Sequence, residues 1–244
     1  MIMDFTLDKY KELLDAFDDV GQVTLRHDVD KKPKNSLATA YIEREMGWEA
    51  TYYFRAVPES FDPGIILHIA SLGHQIGYHY ESLATCKGNM EAAFDDFCRN
   101  LEKLRALVPV KKIVMHGSPK SKWDSRELWK HYDYHKLGIT TEPYLDTDFS
   151  KVFYLTDTGR RWDGYRVSVR DKIPEYQEQW ECQGWVYHST DDVIQAIRQG
   201  TFPNQVLVNT HPQRWTDNRY QWFKELTLQS AKNFVKRLVI TKRT

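Results

Sequence analysis

The chain has 244 residues, with 34 Lys and Arg against 34 Asp and Glu, and 41% of its residues are hydrophobic. This length fits one α/β domain, which commonly runs to roughly 200 to 250 residues. The balanced charge argues against a nucleic-acid-binding protein, because the phosphate backbone requires a basic surface. Three widely spaced cysteines without a C-x-x-C pair predict neither a disulfide framework nor a thiolate zinc site. They are Cys86, Cys98 and Cys182.

The sequence pattern gives no indication of a membrane or export signal. The longest apolar stretch, at residues 64–67, is far shorter than the ~18 residues that a transmembrane helix requires. Asp4 and Asp8 stand where a signal peptide carries positive charge. We therefore expect a cytoplasmic protein that does not insert into membranes and has no nucleic-acid partner. The composition leaves the oligomeric state open.

Strand-like and helical patterns alternate from residue 23 to residue 116. β-branched and aromatic residues mark the strands, and apolar residues at three- and four-residue spacing mark the helices. Gly47 ends the first helix, and a long amphipathic helix follows Gly88. The predicted order is a strand at 23–29, a helix at 36–46, a strand at 50–55, a short helix between 63 and 73, a strand at 75–80, the long helix after 88 and a strand at 112–116.

The second half of the chain is less regular. Between residues 123 and 187, the patterns indicate strands at 138–141 and 152–156 among many loop residues. A helix at 191–199 follows the N-cap candidates Ser189 and Thr190. No repeat or linker interrupts the sequence, so we expect one domain spanning residues 1–244. The alternation of strands and helices, which ends with a strand at 205–209 and a helix at 220–237, predicts a mainly parallel sheet, closed or open.

Carboxylates and imidazoles lie at the ends of four of the predicted strands. In parallel sheets, reactive groups lie at the carboxyl ends of the strands, and residues two apart on one strand point the same way. Two carboxylates and several imidazoles at one rim suit a divalent metal and a general base. The alternative interpretation of residues 28–30 is a turn and helix N-cap. The strand ends carry Asp28 with Asp30, His79 with Glu81, His116, and His211.

Other histidines have simpler interpretations. His27 precedes Asp28 directly and so faces the opposite side of the strand, which predicts a hydrogen-bonded core histidine. His74 lies five residues before His79, on the opposite face of a regular strand, and is expected to be structural. His116 precedes a Gly-Ser-Pro bend. It fits equally well a metal ligand or a hydrogen-bonded histidine that ends a strand.

Four short runs resemble the motifs of a known family. They are LRHDVD at residues 25–30, GHQIGYHYE at 73–81, HGSP at 116–119 and VNTHP at 208–212. In this order they resemble polysaccharide deacetylases of carbohydrate esterase family 4, in a divergent branch similar to proteins of lipopolysaccharide and surface-polysaccharide biosynthesis clusters. The resemblance implies an α/β fold, an irregular (β/α) barrel of about seven parallel strands. It also implies a hydrolase that removes an N- or O-acetyl group from a sugar or polysaccharide precursor.

The resemblance further implies a divalent metal, expected to be zinc, and an acetylated sugar or a nucleotide- or lipid-linked saccharide as the substrate. Carried over by position, Asp28 resembles the catalytic base, which takes a proton from the attacking water. Asp30 and His79 resemble the metal ligands. His211 resembles the late histidine that acts as the general acid and protonates the leaving group.

Two departures from the family pattern affect the expected site. The second motif normally carries another histidine four residues after the first, where this chain has Leu83. Glu81 or His116 is therefore expected to replace the missing ligand. The family also carries an arginine near the fourth strand that steadies the base, and this chain has none at the His116 turn. Arg26 and Arg55 are the nearby candidates.

The segment at 156–163 is predicted to form a polar and aromatic loop above the rim. Such a loop suits sugar hydroxyls and rings, although a plain solvated turn is the alternative. The expected substrate-binding residues are Arg26, Asp157, Arg161 and Trp162.

Two other functions remain as alternatives. The first is a catalytically inactive carbohydrate-binding barrel, which the leucine at position 83 favours. The second is a metal-dependent glycosyltransferase that uses the two acids of residues 28–30. Such an acid pair usually follows a complete nucleotide-binding half, whereas only about two dozen residues precede the end of the first strand here.

Overall fold

The computed structural model describes residues 3–117, 121–166, 168 and 170–241, with the backbone alone for 234–241. The strands are β1 (Gln22–Val29), β2 (Ala50–Phe54), β3 (Gln75–Tyr80), β4 (Val110–Met115), β5 (Phe153–Thr156) and β6 (Gln205–Thr210). The α-helices are α1 (Leu7–Phe17), α2 (Lys34–Glu45), α3 (Pro63–Ser71), α4 (Ser82–Thr85), α5 (Met90–Arg105), α6 (Pro143–Asp146), α7 (Pro174–Cys182), α8 (Thr190–Arg198) and α9 (Arg219–Thr241). Short 3-10 helices cover Ser125–Lys130, Tyr134–Leu137, Gly164–Arg166 and Pro212–Arg214.

The strands form one parallel sheet in the order β4-β3-β2-β1-β6-β5. The predicted parallel α/β architecture is therefore confirmed, with six strands in the described chain rather than about seven. The segment predicted as a strand at 138–141 makes only an isolated bridge, between Lys112 and Thr141. Glu142 then caps α6, which begins at Pro143, and a proline cannot donate to a sheet ladder.

The sheet is buried on both faces. Strand β2 is buried at all five positions, and the last five residues of β1 are buried as well. Parallel strands covered by helices on both sides show this continuous burial instead of alternation. Helix α1, which the sequence analysis did not predict, covers part of the sheet with Tyr10, Leu13, Leu14 and Phe17. Its first turn is capped by the Thr6 side chain, which accepts from the Lys9 amide.

The two histidines assigned to the core are there. His27 Nδ1 lies 2.6 Å from Thr210 Oγ1, and its Nε2 lies 2.6 Å from Glu43 Oε1. His74 Nε2 lies 2.9 Å from the Ala40 carbonyl oxygen. Both rings are buried and hydrogen-bonded, so the structural interpretation of these histidines is confirmed. None of the helices in the described part of the chain has the length and hydropathy needed to cross a membrane.

Candidate metal and catalytic centre

Three side chains from neighbouring strand ends converge on one point. Asp30 follows β1, His79 lies near the end of β3, and His116 follows β4. Asp30 Oδ1 is 3.4 Å from His79 Nε2 and 3.4 Å from His116 Nε2. One ligand atom from each residue lies within 4.8 Å of the others. The parallel register brings these residues together, because the ends of β1, β2, β3 and β4 lie at the same edge of the sheet.

Each of the two imidazoles is oriented by a hydrogen bond on its far nitrogen. His79 Nδ1 donates to the Val114 carbonyl oxygen at 3.1 Å. His116 Nδ1 donates to Glu81 Oε2 at 2.8 Å. This assignment leaves both Nε2 atoms free to offer a lone pair toward Asp30, which is how metal-binding histidines are typically held.

Glu81 lies behind His116 and does not face the converging donors. Arg55 donates to Glu81 Oε1 from Nη2 at 2.6 Å and from Nε at 3.0 Å, while the other carboxylate oxygen accepts from His116. Burial favours a raised pKa for Glu81, but His116 and Arg55 outweigh it and lower the pKa to about 2. The geometry thus favours His116 as the third ligand and Glu81 as its anionic partner. Arg55 contacts Glu81 and not Asp28, which is the expected catalytic base.

The donor set fits a divalent cation. Asp30 Oδ1 is buried, and no hydrogen-bond partner reaches it among the described residues. A buried carboxylate oxygen without a donor is costly, and a bound cation would satisfy it. Burial raises the pKa of Asp30, but His79, His116 and His211 in their protonated forms outweigh this and hold the pKa well below its usual value. One carboxylate and two neutral imidazoles are ligands that zinc accepts readily, with room for further ligands.

Asp28 lies beside this group in an ion pair on its own strand. Arg26 Nε donates to Asp28 Oδ1 at 2.9 Å and Arg26 Nη2 to Oδ2 at 2.7 Å, because residues two apart on β1 share a face. Asn209 on β6 donates to Asp28 Oδ2 at 3.0 Å. Burial disfavours the charged form, but Arg26 outweighs it and holds the pKa of Asp28 below its usual value. Of the two candidate arginines, Arg26 is therefore the one that contacts Asp28.

His211 approaches from the end of β6, held by a buried carboxylate. Its Nδ1 donates to Asp157 Oδ1 at 2.6 Å, and its backbone N–H donates to Asp157 Oδ2 at 3.0 Å. Trp215 Nε1 donates to the same Oδ2 at 2.9 Å. His211 Nε2 faces Asp30 Oδ2 at 3.9 Å. Although burial raises the pKa of Asp157, Arg214 and His211 lower it, so the carboxylate remains an anion beneath the imidazole.

The segment at 156–163 differs from the expected loop above the rim. Asp157 is fully buried below His211, and Trp162 is 4% exposed, with its Nε1 donating to Thr190 Oγ1. This placement corrects the expectation that Asp157 binds substrate, because its side chain has no exposed surface, and it leaves only a small part of the Trp162 ring exposed. Arg161 is paired with Asp163. Arg26, the other expected substrate contact, is 1% exposed and engaged with the Asp28 carboxylate.

Two residues of the site were missed in the sequence. Asn209 contacts Asp28 as described, and Gln213 Nε2 donates to Asp30 Oδ2 at 3.3 Å. The position of Asn209 carried a usable signal, since it lies two residues before His211 near the end of a predicted strand. Gln213 belongs to a 3-10 turn after β6, where strand periodicity no longer predicts the face to which a side chain points. Ser118 and Pro119 of the HGSP run lie outside the described residues.

The roles of Glu81 and His116 lead to different metal affinities when each is replaced. We expect Glu81→Gln to weaken metal binding by about 10- to 100-fold, because it removes the charge that orients His116. We expect His116→Ala to weaken it more, because it removes a donor atom. Competition titration with a chromophoric chelator measures both. A larger loss in Glu81→Gln than in His116→Ala would reverse the two assignments.

Comparisons with known proteins give structural similarity alone. No family model matches the chain, and no curated protein sequence matches it. A pseudoenzyme of carbohydrate esterase family 4 from Bacillus anthracis is 12% identical over 87% of this chain, with a TM-score of 0.47. The match spans 62% of that protein.

Two other solved structures are similar over most of their own length. A family 4 carbohydrate esterase from Streptomyces lividans, in complex with acetate, is 16% identical over 87% of this chain and 90% of its own, with a TM-score of 0.45. A family 4 carbohydrate esterase from Bacillus subtilis is 13% identical over 92% of this chain and 84% of its own, with a TM-score of 0.43.

Proposed function

We propose that the chain is a metal-dependent hydrolase of the polysaccharide deacetylase type, which removes an acetyl group from a saccharide. The observation that carries this proposal is the convergence of five groups at one sheet edge. Asp30, His79 and His116 face one another through potential ligand atoms, with Asp28 3.8 Å from His79 and His211 3.9 Å from Asp30. Each of the two flanking groups has its own buried charged partner. This arrangement provides an ionised base and an oriented imidazole next to a cation site.

Asp30, His79 and His116 would hold the metal, and zinc is the ion that this donor set suits best. When bound, such an ion activates water and polarises an acyl oxygen, so no protein nucleophile is required. Asp28 then takes the proton of the attacking water. Arg26 keeps this carboxylate ionised and fixes both of its oxygens, which directs the base toward His79 and the centre of the site.

His211 supplies the proton that the leaving group needs. Its Nδ1 proton is bound to Asp157, so Nε2 is the atom that faces the site. The Asp157 carboxylate stabilises the imidazolium form and fixes the ring orientation. An amine leaves poorly without a proton, whereas an aryl oxide leaves readily, so the two substrate types depend differently on this residue.

Replacement of His211 tests this role. We expect His211→Ala to lower hydrolysis of an N-acetylated amino sugar by about 10²- to 10⁴-fold and that of an aryl acetate much less. The measurement is kcat/KM of the metal-loaded variant on both substrates, with metal content checked in parallel. His135→Ala, which alters an exposed histidine, is the matched control. Equal losses on the amide and the ester would contradict the acid role and indicate a ligand or structural one.

We favour the hydrolase over the inactive barrel, because His116 offers a ligand atom that Leu83 does not. Leu83 is buried in α4 and packs with Ala93 and Leu128. The ligand missing from position 83 is matched by His116, which arrives from β4. The glycosyltransferase alternative requires both acids of residues 28–30 to bind a metal. Of these two acids, only Asp30 belongs to the converging ligand atoms found among the described residues, while Asp28 is paired with Arg26.

The proposed substrate is an acetylated sugar or a nucleotide- or lipid-linked saccharide, and the proposed location is the cytoplasm. The three cysteines are unpaired, as is usual in a reducing compartment. The function is tested by incubating the metal-loaded protein with N- and O-acetylated oligosaccharides and measuring free acetate. We expect acetate release that a chelator abolishes. A thermal shift with nucleoside diphosphates and no acetate release would support the glycosyltransferase instead.

A further inference from the structure

A surface cavity of about 430 Å³ lies next to the candidate metal centre, and Glu81 forms part of its wall. We infer that this basic cavity, lined by Glu81, Thr85, Lys87, Ser121, Lys122 and Trp123, binds an anionic group of the substrate. The group is a phosphate or a carboxylate carried by the acetylated saccharide. This inference rests on the proposed function, because it adds the substrate class that the same site accepts.

The cavity adjoins the centre through a single residue. Glu81 lines the cavity, and its Oε2 accepts from His116 Nδ1 at 2.8 Å. The opposite nitrogen of His116 lies 3.4 Å from Asp30 Oδ1. One imidazole thus separates the cavity wall from the converging donor atoms. The inferred binding mode has the acetyl group of the saccharide at the centre and a neighbouring substituent in the cavity, whose volume is that of a typical ligand pocket.

The charge that lines the cavity is positive and uncompensated. Lys87 and Lys122 are exposed, and neither forms an ion pair with a described residue. The Glu81 carboxylate does not balance them, because Arg55 and His116 already engage both of its oxygens. The nearby Arg126 is likewise paired, with Asp124. Two lysines that line the cavity without an ionic partner among the described residues favour an anion, and lysine is a common point-charge partner for phosphate.

Local packing shapes the wall of the cavity beside the two lysines. Trp123 lies against Gly88, where an added Cβ would be 2.5 Å from the indole ring. The Lys122 ammonium lies 4.8 Å from the centroid of that ring, in a cation–π contact. Lys87 has a φ of 50°, which a non-glycine residue adopts at a conformational cost. The absence of a side chain at Gly88 therefore allows Trp123 to form the wall that carries Lys122.

Binding of three probes tests the inference without turnover. They are N-acetylglucosamine, its 6-phosphate, and the corresponding N-acetylated uronic acid, which carries a carboxylate. Calorimetric titration is carried out on the metal-loaded and the chelator-treated protein, so that direct coordination of the anion by the metal is separated from binding in the cavity. We expect at least one of the two charged sugars to bind about tenfold or more tightly than the neutral one in both forms. The charged sugar with the larger affinity relative to N-acetylglucosamine identifies whether the cavity accepts a phosphate or a carboxylate.

A double variant assigns that preference to the cavity. We expect the double variant Lys87→Ala with Lys122→Ala to lose most of the tighter binding of the charged sugar relative to the neutral one. Added salt should reduce the same affinity ratio in the unaltered protein. The matched control replaces Lys11 and Lys136, two exposed lysines outside the cavity lining. Thermal unfolding verifies the folded state, and Lys87→Gln with Lys122→Gln repeats the test if the alanine variant is unstable.

Equal affinity for the three sugars, or a charge preference that survives the double variant, would overturn the inference. The proposed function has a separate outcome, since it depends on acetate release and not on these affinities. Binding of the charged sugars through Lys87 and Lys122 without acetate release would leave the anion site in place and contradict the hydrolase.

Discussion

Replacing Asp30 or His79 with alanine is expected to abolish stoichiometric metal binding, and with it the release of acetate. Each change removes one of three converging donors, and each of these donors lies 3.4 Å from another. Loss of a residue that only orients a ligand costs about 10- to 100-fold in affinity, so the loss of a ligand itself should exceed this. Metal content per chain and competition titration measure the effect.

Surface residues of the same types provide the matched controls. Asp148→Ala and His135→Ala remove an exposed carboxylate and an exposed imidazole outside the donor group. Both should retain the metal and the activity of the unaltered protein. If Asp30→Ala and His79→Ala also retained one ion per chain, these residues would not be ligands and the site would have to be reassigned.

Asp28→Asn is expected to keep the metal and lose turnover. The amide preserves the size of the side chain but accepts a proton poorly, and loss of a general base typically costs about 10²- to 10⁴-fold. Arg26 and Asn209 fix Asp28 next to His79, and the closest approach of Asp28 Oδ2 to His79 Nε2 is 3.8 Å. The measurement is kcat for acetate release, together with metal content.

The same substitution also affects stability, because it leaves the buried Arg26 guanidinium without its anion. Breaking a buried ion pair by removing one partner costs on the order of 3 to 5 kcal/mol. Thermal unfolding of Asp28→Asn therefore distinguishes a folded, inactive enzyme from an unfolded one. A folded variant that has lost its metal would move Asp28 from the role of base to that of ligand.

Much of the candidate site follows from strand rules alone. Asp28 and Asp30 were expected on one side of β1, and His27 on the other, because side chains alternate along a strand. The structure has this arrangement: His27 bonds to Glu43 on one face, while Asp28 and Asp30 lie toward His79 on the other. The meeting of distant strand ends was predictable as well, since all six strands are parallel.

The remaining features depend on packing that periodicity does not encode. Trp162 is in the core because it packs with Phe5 and Trp215, and the residue types of a loop do not tell a buried ring from an exposed one. Glu81 lies at Nδ1 of His116, where Arg55 from the end of β2 also donates a hydrogen bond to it. Helix α1 did carry a signal, as its buried residues Tyr10, Leu13, Leu14 and Phe17 have helical spacing.

The central claim is that one cation, held by Asp30, His79 and His116, is required for acetyl hydrolysis at this sheet edge. It is tested most directly by adding zinc to metal-free protein in fractions of an equivalent and measuring bound metal and acetate release in the same samples. We predict that both rise together and reach a plateau at about one ion per chain, as expected for a catalytic site with three protein ligands. Acetate release that is independent of added metal, or stoichiometric binding without any release, would contradict the account.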